Sequence, residues 1–418
     1  MKNIDNLNNF KKLKRKQIKI LIPNATSPRN IGDQAMLDGL IFLLKNEYKS
    51  AKIKIHSVDP NVYDRKVDYQ IDHTLYSWSV LKNRNAFPKF INLSKLVLQY
   101  IFLRLGIFGL GVDRQLTSLI NDYKNADLIV FAGGGYLRSR KGIKQSLNLF
   151  MQLLHFKFAE LFSAKKIVSP ISVGPFGCKW QEKIVAGELS KMDLVAVREE
   201  ISYKMLEKYK MKNLILSSDF ALLIKKINKK KVNSDFTLGF TVREWLKGNK
   251  YKKFEDSFVE SIQKFSKNTG AKIQPIVQVD ASMYGEDDAS VTKKIAEKLG
   301  KKKLGVSKII KINNVNEALD VYSNIDLLLG MRMHSNIFAA IQGTPFVALS
   351  YEYKTEGIAK QLSMEKYCIR CEDVNKDSLY KILMDAYKNR SYLRKELINS
   401  VEEIQNREIK RWGNILCK

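Results

Sequence analysis

The sequence predicts an α/β protein made of two Rossmann-like domains, and three observations support this. Apolar strand patterns repeatedly run into a turn bearing glycine or arginine and then into a helical pattern. Residues 127–132 do so before Gly133, and residues 326–330 before Arg332. The length, 418 residues, exceeds that of an ordinary single domain. A lysine-rich stretch, KKINKKKVN at 225–233, separates two such alternating series. The expected organisation is a basic tail at 1–17, a first domain at 18–224 and a linker at 225–234. A second domain follows at 235–390, and a terminal helix at 391–418 is placed to cross back to the first domain.

In the first domain, residues 18–23 form a strand that leads through a loop into a helix over 35–44. Asn30, Gly32 and Asp33 stand at this join. Gly32 admits close backbone approach of a ligand. Asp33 either caps the helix or faces a bound hydroxyl. A GxGxxG dinucleotide fingerprint is absent here. Residues 51–58 form the next strand. Residues 85–112 are strongly apolar, but Lys95 and Arg104 interrupt them, whereas a membrane span needs about 20 mostly uncharged residues. A helical hairpin or one amphipathic helix is expected, serving either core packing or a monotopic membrane contact.

The strand at 127–132 exits into Gly133, Gly134, Gly135 and Tyr136, with Arg138, Arg140 and Lys141 close behind. Two readings stand: backbone N–H groups converging on an oxyanion or sugar, or a tight turn under a packed helix. Residues 146–162 form an apolar helix in which His155 is packed or surface-facing rather than catalytic. The strand at 166–173 ends in a further glycine loop, and a short strand at 193–197 delivers Arg198, a candidate anion clamp.

The second domain opens with a strand at 236–242, followed by Arg243, and a helix over 252–267. A strand at 271–279 and an acidic loop at 280–290 come next; the loop misses EF-hand spacing and reads as solvated surface. A helix at 289–299, a strand at 307–312 and a helix at 315–322 lead to the stretch DLLLGMRMHSNIFAAIQGTPFVALSY at 326–351. There a strand runs into a helix over 335–342, with Ser335 or Asn336 able to cap it, and then into a strand at 344–350. Strand ends that meet helix starts are where open α/β sheets hold ligands, and first-turn N–H groups favour anions. Arg332 and His334, two residues apart, point to an acidic substrate whose chemistry moves a proton. Helices at 376–388 and 391–412 close the chain.

The formal charge, 72 − 43 = +29, fits either a field for anionic partners or a lysine-rich surface set by composition. Basic residues are spread along the chain without a base-reading module, so no nucleic acid is expected. Four cysteines are too few for a disulfide framework. Cys368 and Cys371 form a CxxC that no second pair or histidine completes, so no metal is expected. The basic amino-terminal segment has no apolar signal core after it, which implies a cytoplasmic chain whose tail is able to touch anionic lipid at the inner face of the membrane.

Six stretches resemble the polysaccharide pyruvyl transferase family: NIGDQAMLDG (30–39), LIVFAGGGYL (128–137), ISVGPFG (171–177), VAVREEISYKML (195–206), SSDFALL (217–223) and GMRMHSNIFAAIQGTPFVALSY (330–351). The resemblance implies a GT-B-like fold with the site in the cleft between the domains. It also implies transfer of the enolpyruvyl carbons of phosphoenolpyruvate onto a sugar as a ketal. By motif position, Arg198, Arg332 and His334 fall on donor-binding or catalytic residues, Asp33 on the amino-terminal GD motif, and Lys354 in a region that helps hold the donor. The expected assignment is His334 and Asp33 for proton work, and Arg198, Arg332, Lys354, Ser335 and Asn336 for the donor. Asn30, Gly32, Gly133, Gly134, Gly135, Tyr136 and Arg138 are assigned to the acceptor, with phosphoenolpyruvate as co-substrate and no other cofactor. Two competing readings are a GT-B glycosyltransferase using a nucleotide sugar and a basic membrane- or nucleic-acid-binding protein without catalysis.

Overall fold

The computed structural model describes residues 17–63, 69–81, 86–107, 113–226, 235–281, 286–301 and 304–417. The chain divides into two compact units. One comprises the residues up to Pro28, Met36–Phe220 and Ile409–Lys418; the other comprises Arg29–Ala35 and Ala221–Glu408. The segment Arg29–Ala35 therefore groups with the second unit, although the sequence reading counted it in the first domain. Residues 1–16 of the expected tail and residues 227–234 of the expected linker lie outside the described residues.

The first unit is built on a sheet of eight strands: β1 (Lys19–Ala25), β2 (Lys52–Ser57), β3 (Gln70–His73), β4 (Leu128–Phe131), β5 (Gly134–Leu137), β6 (Lys165–Val173), β7 (Leu194–Val197) and β8 (Leu214–Leu216). Their order is β3-β2-β1-β4-β6-β7-β8, with β5 also paired to β6. All these pairings are parallel. Continuous apolar strands such as LIVF in β4 suit a parallel sheet covered on both faces. Phe131 stacks on Phe156 of the helix Ile143–Glu160 with ring centroids 4.1 Å apart. Helices Arg114–Asn125 and Lys179–Leu189 complete the cover; the sequence reading named neither.

Residues within the 85–112 stretch form one helix, Ala86–Arg104, while residues 85 and 108–112 lie outside the described set. Its Leu96 is fully buried, and Tyr100 meets Phe158 edge-on at 5.5 Å. No helix among the described residues is long and apolar enough to cross a membrane.

His155 is packed in this core, and its Nδ1 lies 3.1 Å from the Tyr123 hydroxyl. Burial, with the neighbouring His56, pulls its pKa down from 6.5 to about 3. The folded state holds this ring neutral, so its stabilising contribution is complete above the ordinary value of 6.5 and is lost as pH falls toward about 3. Lowering the pH from about 7 to about 5 is expected to cost about 2 kcal/mol through this group alone. Urea melts at the two pH values check this: His155→Gln should lose that part of the slope.

The second unit carries a six-stranded sheet of β9 (Thr237–Thr241), β10 (Lys272–Val277), β13 (Ile310–Lys311), β14 (Leu327–Gly330), β15 (Phe346–Ser350) and β16 (Cys368–Arg370). A small antiparallel pair, β11 (Asp280–Ala281) and β12 (Glu286–Asp287), stands apart from it. The main order, β13-β10-β9-β14-β15-β16, is that of a Rossmann sheet, in which the chain reverses direction of growth between β9 and β14. All its pairings are parallel. Helices Gly248–Thr269, Ala289–Gly300, Val315–Ser323, Met333–Ile341, Tyr353–Gln361 and Lys376–Lys388 surround it. Phe240 on β9 meets Phe258 of the first of these at 5.6 Å. The last helix, Arg390–Leu416, begins in this unit, and its final turns from Ile409 count with the other.

Candidate functional site

In open parallel sheets the ligand crevice opens at the carboxyl ends of the strands where growth reverses. In the second unit these are the ends of β9 and β14, which are stitched together. The Met331 N–H donates to the Thr241 carbonyl (3.1 Å) and lies 3.2 Å from Thr241 Oγ1; Thr241 Oγ1 is 2.9 Å from Ser335 Oγ. Arg243 and Arg332 each stand two residues past these strand ends, and the Arg243 N–H reaches Met331 Sδ at 3.4 Å.

Arg332 is the residue at which the helix Met333–Ile341 begins; its φ of −83° and ψ of 127° are still extended. The helix thus starts two residues before the expected 335, which corrects the capping expectation. Ser335 and Asn336 are buried first-turn residues. The Ser335 hydroxyl donates to the Arg332 carbonyl (2.5 Å) and the Asn336 amide to the Gly330 carbonyl (3.3 Å). Both face inward and fix the strand-to-helix turn.

The Arg332 guanidinium is held by Asp288, Nη2 to Oδ1 at 2.6 Å and Nε to Oδ2 at 2.9 Å. Asp288 is fully buried, so the expected solvated loop at 280–290 is corrected at this position. A two-point contact of this kind fixes the plane of a guanidinium and also cancels its charge. Binding an anion here therefore calls on further cations. Lys354, on the first turn after β15, is paired with Glu352 at 2.7 Å. Arg243 lies over the Tyr351 ring at 5.1 Å and near Trp245 at 5.9 Å, and its Nη1 donates to the Tyr351 hydroxyl at 3.3 Å. The sequence reading noted Arg243 at a strand end but gave it no role.

His334 is half-buried in the first turn of the same helix. Gly32 packs against its ring: a β-carbon built on Gly32 would fall 2.0 Å from His334 Nδ1. Only glycine leaves the imidazole its place. Asp33 is not a cap. It lies inside the first turn of the helix Ile31–Glu47, where its carboxylate accepts from the Asn30 amide at 2.9 Å. The second unit thus gathers Asn30, Gly32, Asp33, Arg332, His334, Ser335, Asn336 and Lys354, with Asp288 and Arg243 added.

The remaining candidates lie in the first unit. Gly134, Gly135 and Tyr136 belong to β5, paired with β6 from Gly134↔Ile171 to Leu137↔Val173, so the segment read as either a loop of converging N–H groups or a tight turn is a strand. Gly133 is required by close packing, since a β-carbon there would sit 2.7 Å from the Pro170 carbonyl oxygen. Gly134, with φ at +147°, holds a conformation that glycine favours. Burial raises the Tyr136 phenol, with Asn24 beside it, and Arg138 is exposed. Arg198 is buried at the end of β7. It donates from Nη1 to Asp219 (2.7 Å) and from Nε to the Ser172 hydroxyl (2.7 Å). Burial also raises the adjacent Glu199 carboxyl.

Among the described residues no group of histidine, cysteine and carboxylate side chains is arranged to hold a metal. Burial pushes the Cys368 thiol up to about 12 and the Cys371 thiol higher, so both stay protonated near neutrality.

Comparison with known proteins agrees with this architecture. The chain is 24% identical over 411 residues to the amylovoran biosynthesis protein AmsJ of Erwinia amylovora, covering 92% of this chain and 96% of that one. In fold it is similar to a putative UDP-N-acetylglucosamine 2-epimerase from Listeria monocytogenes (TM-score 0.56, 11% identity, 93% of this chain and 95% of that one). It is also similar to Anabaena Alr3699/HepE in complex with UDP-glucose (TM-score 0.54, 11% identity, 95% and 98%). These structural likenesses establish a two-lobed α/β fold of parallel, GT-B-like Rossmann units. The family model for polysaccharide pyruvyl transferase matches residues 30–353, from Asn30 beside the Gly32 turn to the residue after Glu352, and the chain belongs to that family.

Proposed function

We propose that this chain transfers the enolpyruvyl carbons of phosphoenolpyruvate to a sugar of a cell-surface polysaccharide or of its lipid-linked precursor, forming a cyclic ketal and releasing phosphate. The observation that carries the reading is the grouping of Arg332 and Arg243 at the β9/β14 strand ends, with His334 one helical step away. Phosphoenolpyruvate bears a carboxylate and a phosphate, which guanidinium groups in fixed planes match. His334 delivers a proton to the methylene carbon as a sugar hydroxyl adds at C2, and the proton released by that hydroxyl restores the imidazolium. The C–O bond to phosphate then breaks, a second hydroxyl of the same sugar closes the ring, and its proton leaves with the phosphate. No cofactor beyond the donor enters this scheme. Asn30 and Asp33 are assigned to the acceptor side, and a lipid-linked acceptor would bring the enzyme to the inner face of the membrane.

The test pairs phosphate release from phosphoenolpyruvate with mass spectrometry of a glycan panel. A gain of about 70 Da on one glycan is expected for a cyclic pyruvate ketal. Nucleotide release from a sugar nucleotide, without phosphate release, would replace this reading with glycosyl transfer.

Two variants probe the site directly. Gly32→Ala should displace the imidazole and lower kcat about a hundredfold with an unchanged circular dichroism spectrum. Arg243→Ala should raise the KM for phosphoenolpyruvate about tenfold or more while changing kcat less, because it removes a charge-assisted contact worth about 1.5–3 kcal/mol.

A further inference from the structure

The helix Ala86–Arg104 is apolar on both sides. Its inner side is accounted for by Leu96, by Tyr100 against Phe158, and by Asn92, whose amide donates to the Trp78 carbonyl. Its outer side carries Phe90, Val97, Leu98 and Ile101, and Leu105 follows directly after the helix. Phe90 and Leu105 are each 69% exposed and Ile101 45%. At 100° per residue these five positions fall within one stripe about 100° wide, with Arg104 about 20° from one edge and Lys95 about 60° beyond the other. Ordinary surfaces scatter such side chains singly, and a contiguous stripe marks a contact surface.

The charge pattern identifies the partner. Between Asp72 and Asp113 the sequence has no Asp or Glu but five cations: Lys82, Arg84, Lys89, Lys95 and Arg104. Lys95 is offset by Asp113 at 3.9 Å, but a second copy would bring the same excess of cations to the contact. An anionic bilayer surface satisfies both features, because the stripe enters the acyl boundary while Arg104 at its edge and the cation excess of the segment favour lipid phosphates. The helix is not a span, so it would lie in the interface plane.

We infer that the outer face of the helix Ala86–Arg104 docks this chain onto an anionic membrane surface. The inference deepens the proposed function, since a lipid-linked acceptor would be met at that surface, but it is tested separately from it. The full chain is floated with vesicles of phosphatidylglycerol and phosphatidylcholine, and with phosphatidylcholine alone. Wild-type protein should bind the anionic vesicles at least about tenfold better than the neutral ones. Leu98→Glu/Ile101→Glu should lose at least about tenfold of that binding. Ile101→Lys, which removes apolar area while adding a cation, should also weaken binding.

Because the altered side chains are exposed, each variant should keep wild-type phosphate release with a soluble acceptor. Equal binding by wild type and double variant overturns the inference, as does absence of binding by wild type. So does a wild-type dimer in light scattering that the double variant converts to monomer, which would assign the face to a second copy. Wild-type vesicle binding with no pyruvyl transfer would overturn the reaction and leave the docking face standing.

Discussion

Phosphate release from phosphoenolpyruvate is expected to fall about a hundredfold to ten-thousandfold in His334→Ala, with the KM for the donor changed far less. The imidazole is held in position from several sides. Its helix begins at Arg332, whose carbonyl takes the Ser335 hydroxyl and whose guanidinium is locked by Asp288. Gly32 gives the ring its space. This construction fixes where a proton donor stands relative to Arg332, which is what protonation of a bound enolpyruvyl carbon demands. His334→Gln separates two roles, because it keeps hydrogen-bonding capacity without a transferable proton; it should fail as His334→Ala does. A histidine with only a packing role would give the reverse pattern, with kcat within about threefold of wild type and a lowered melting temperature. Steady-state kinetics beside thermal melts distinguish the two.

Much of this arrangement was legible in the sequence, and what was missed has a common cause. A strand, two residues and a helix start place Arg332 and His334 by local periodicity alone, and the buried runs LLLG and FVALS announce their strands. Asp288 could not be found that way. It lies 44 residues from Arg332, in a polar loop without a periodic pattern, and only the folded chain brings the two together. Arg243 was visible as an arginine after a strand, but its place beside Met331 depends on β9 and β14 being neighbours, which is a fact of sheet order. The triple glycine misled for another reason. Gly134–Leu137 has no apolar alternation, so the pairing with β6 that makes it a strand left no local trace. Ser335 and Asn336 have the composition of helix caps, yet they turn inward because the backbone they satisfy is that of Arg332 and Gly330.

The second large effect concerns Arg198. Arg198→Ala is expected to destabilise the first unit by about 3–5 kcal/mol, because it takes the guanidinium away from the buried Asp219 carboxylate. A single inactive variant would therefore say nothing about the donor. The informative protein is Arg198→Met/Asp219→Leu, which removes both charges and restores apolar volume; buried pairs replaced in this way often lose little or no stability. Urea melts should show the double variant recovering most of what Arg198→Ala loses. Its turnover then decides the role. If Arg198 serves only the packing around Ser172 and Asp219, kcat/KM should return with stability. If its guanidinium also meets the donor, stability should return while kcat/KM stays about a hundredfold low, the loss appearing mainly in the KM for phosphoenolpyruvate. The donor assignment expects the second result, and recovery of both quantities together would confine Arg198 to holding the end of β7 in place.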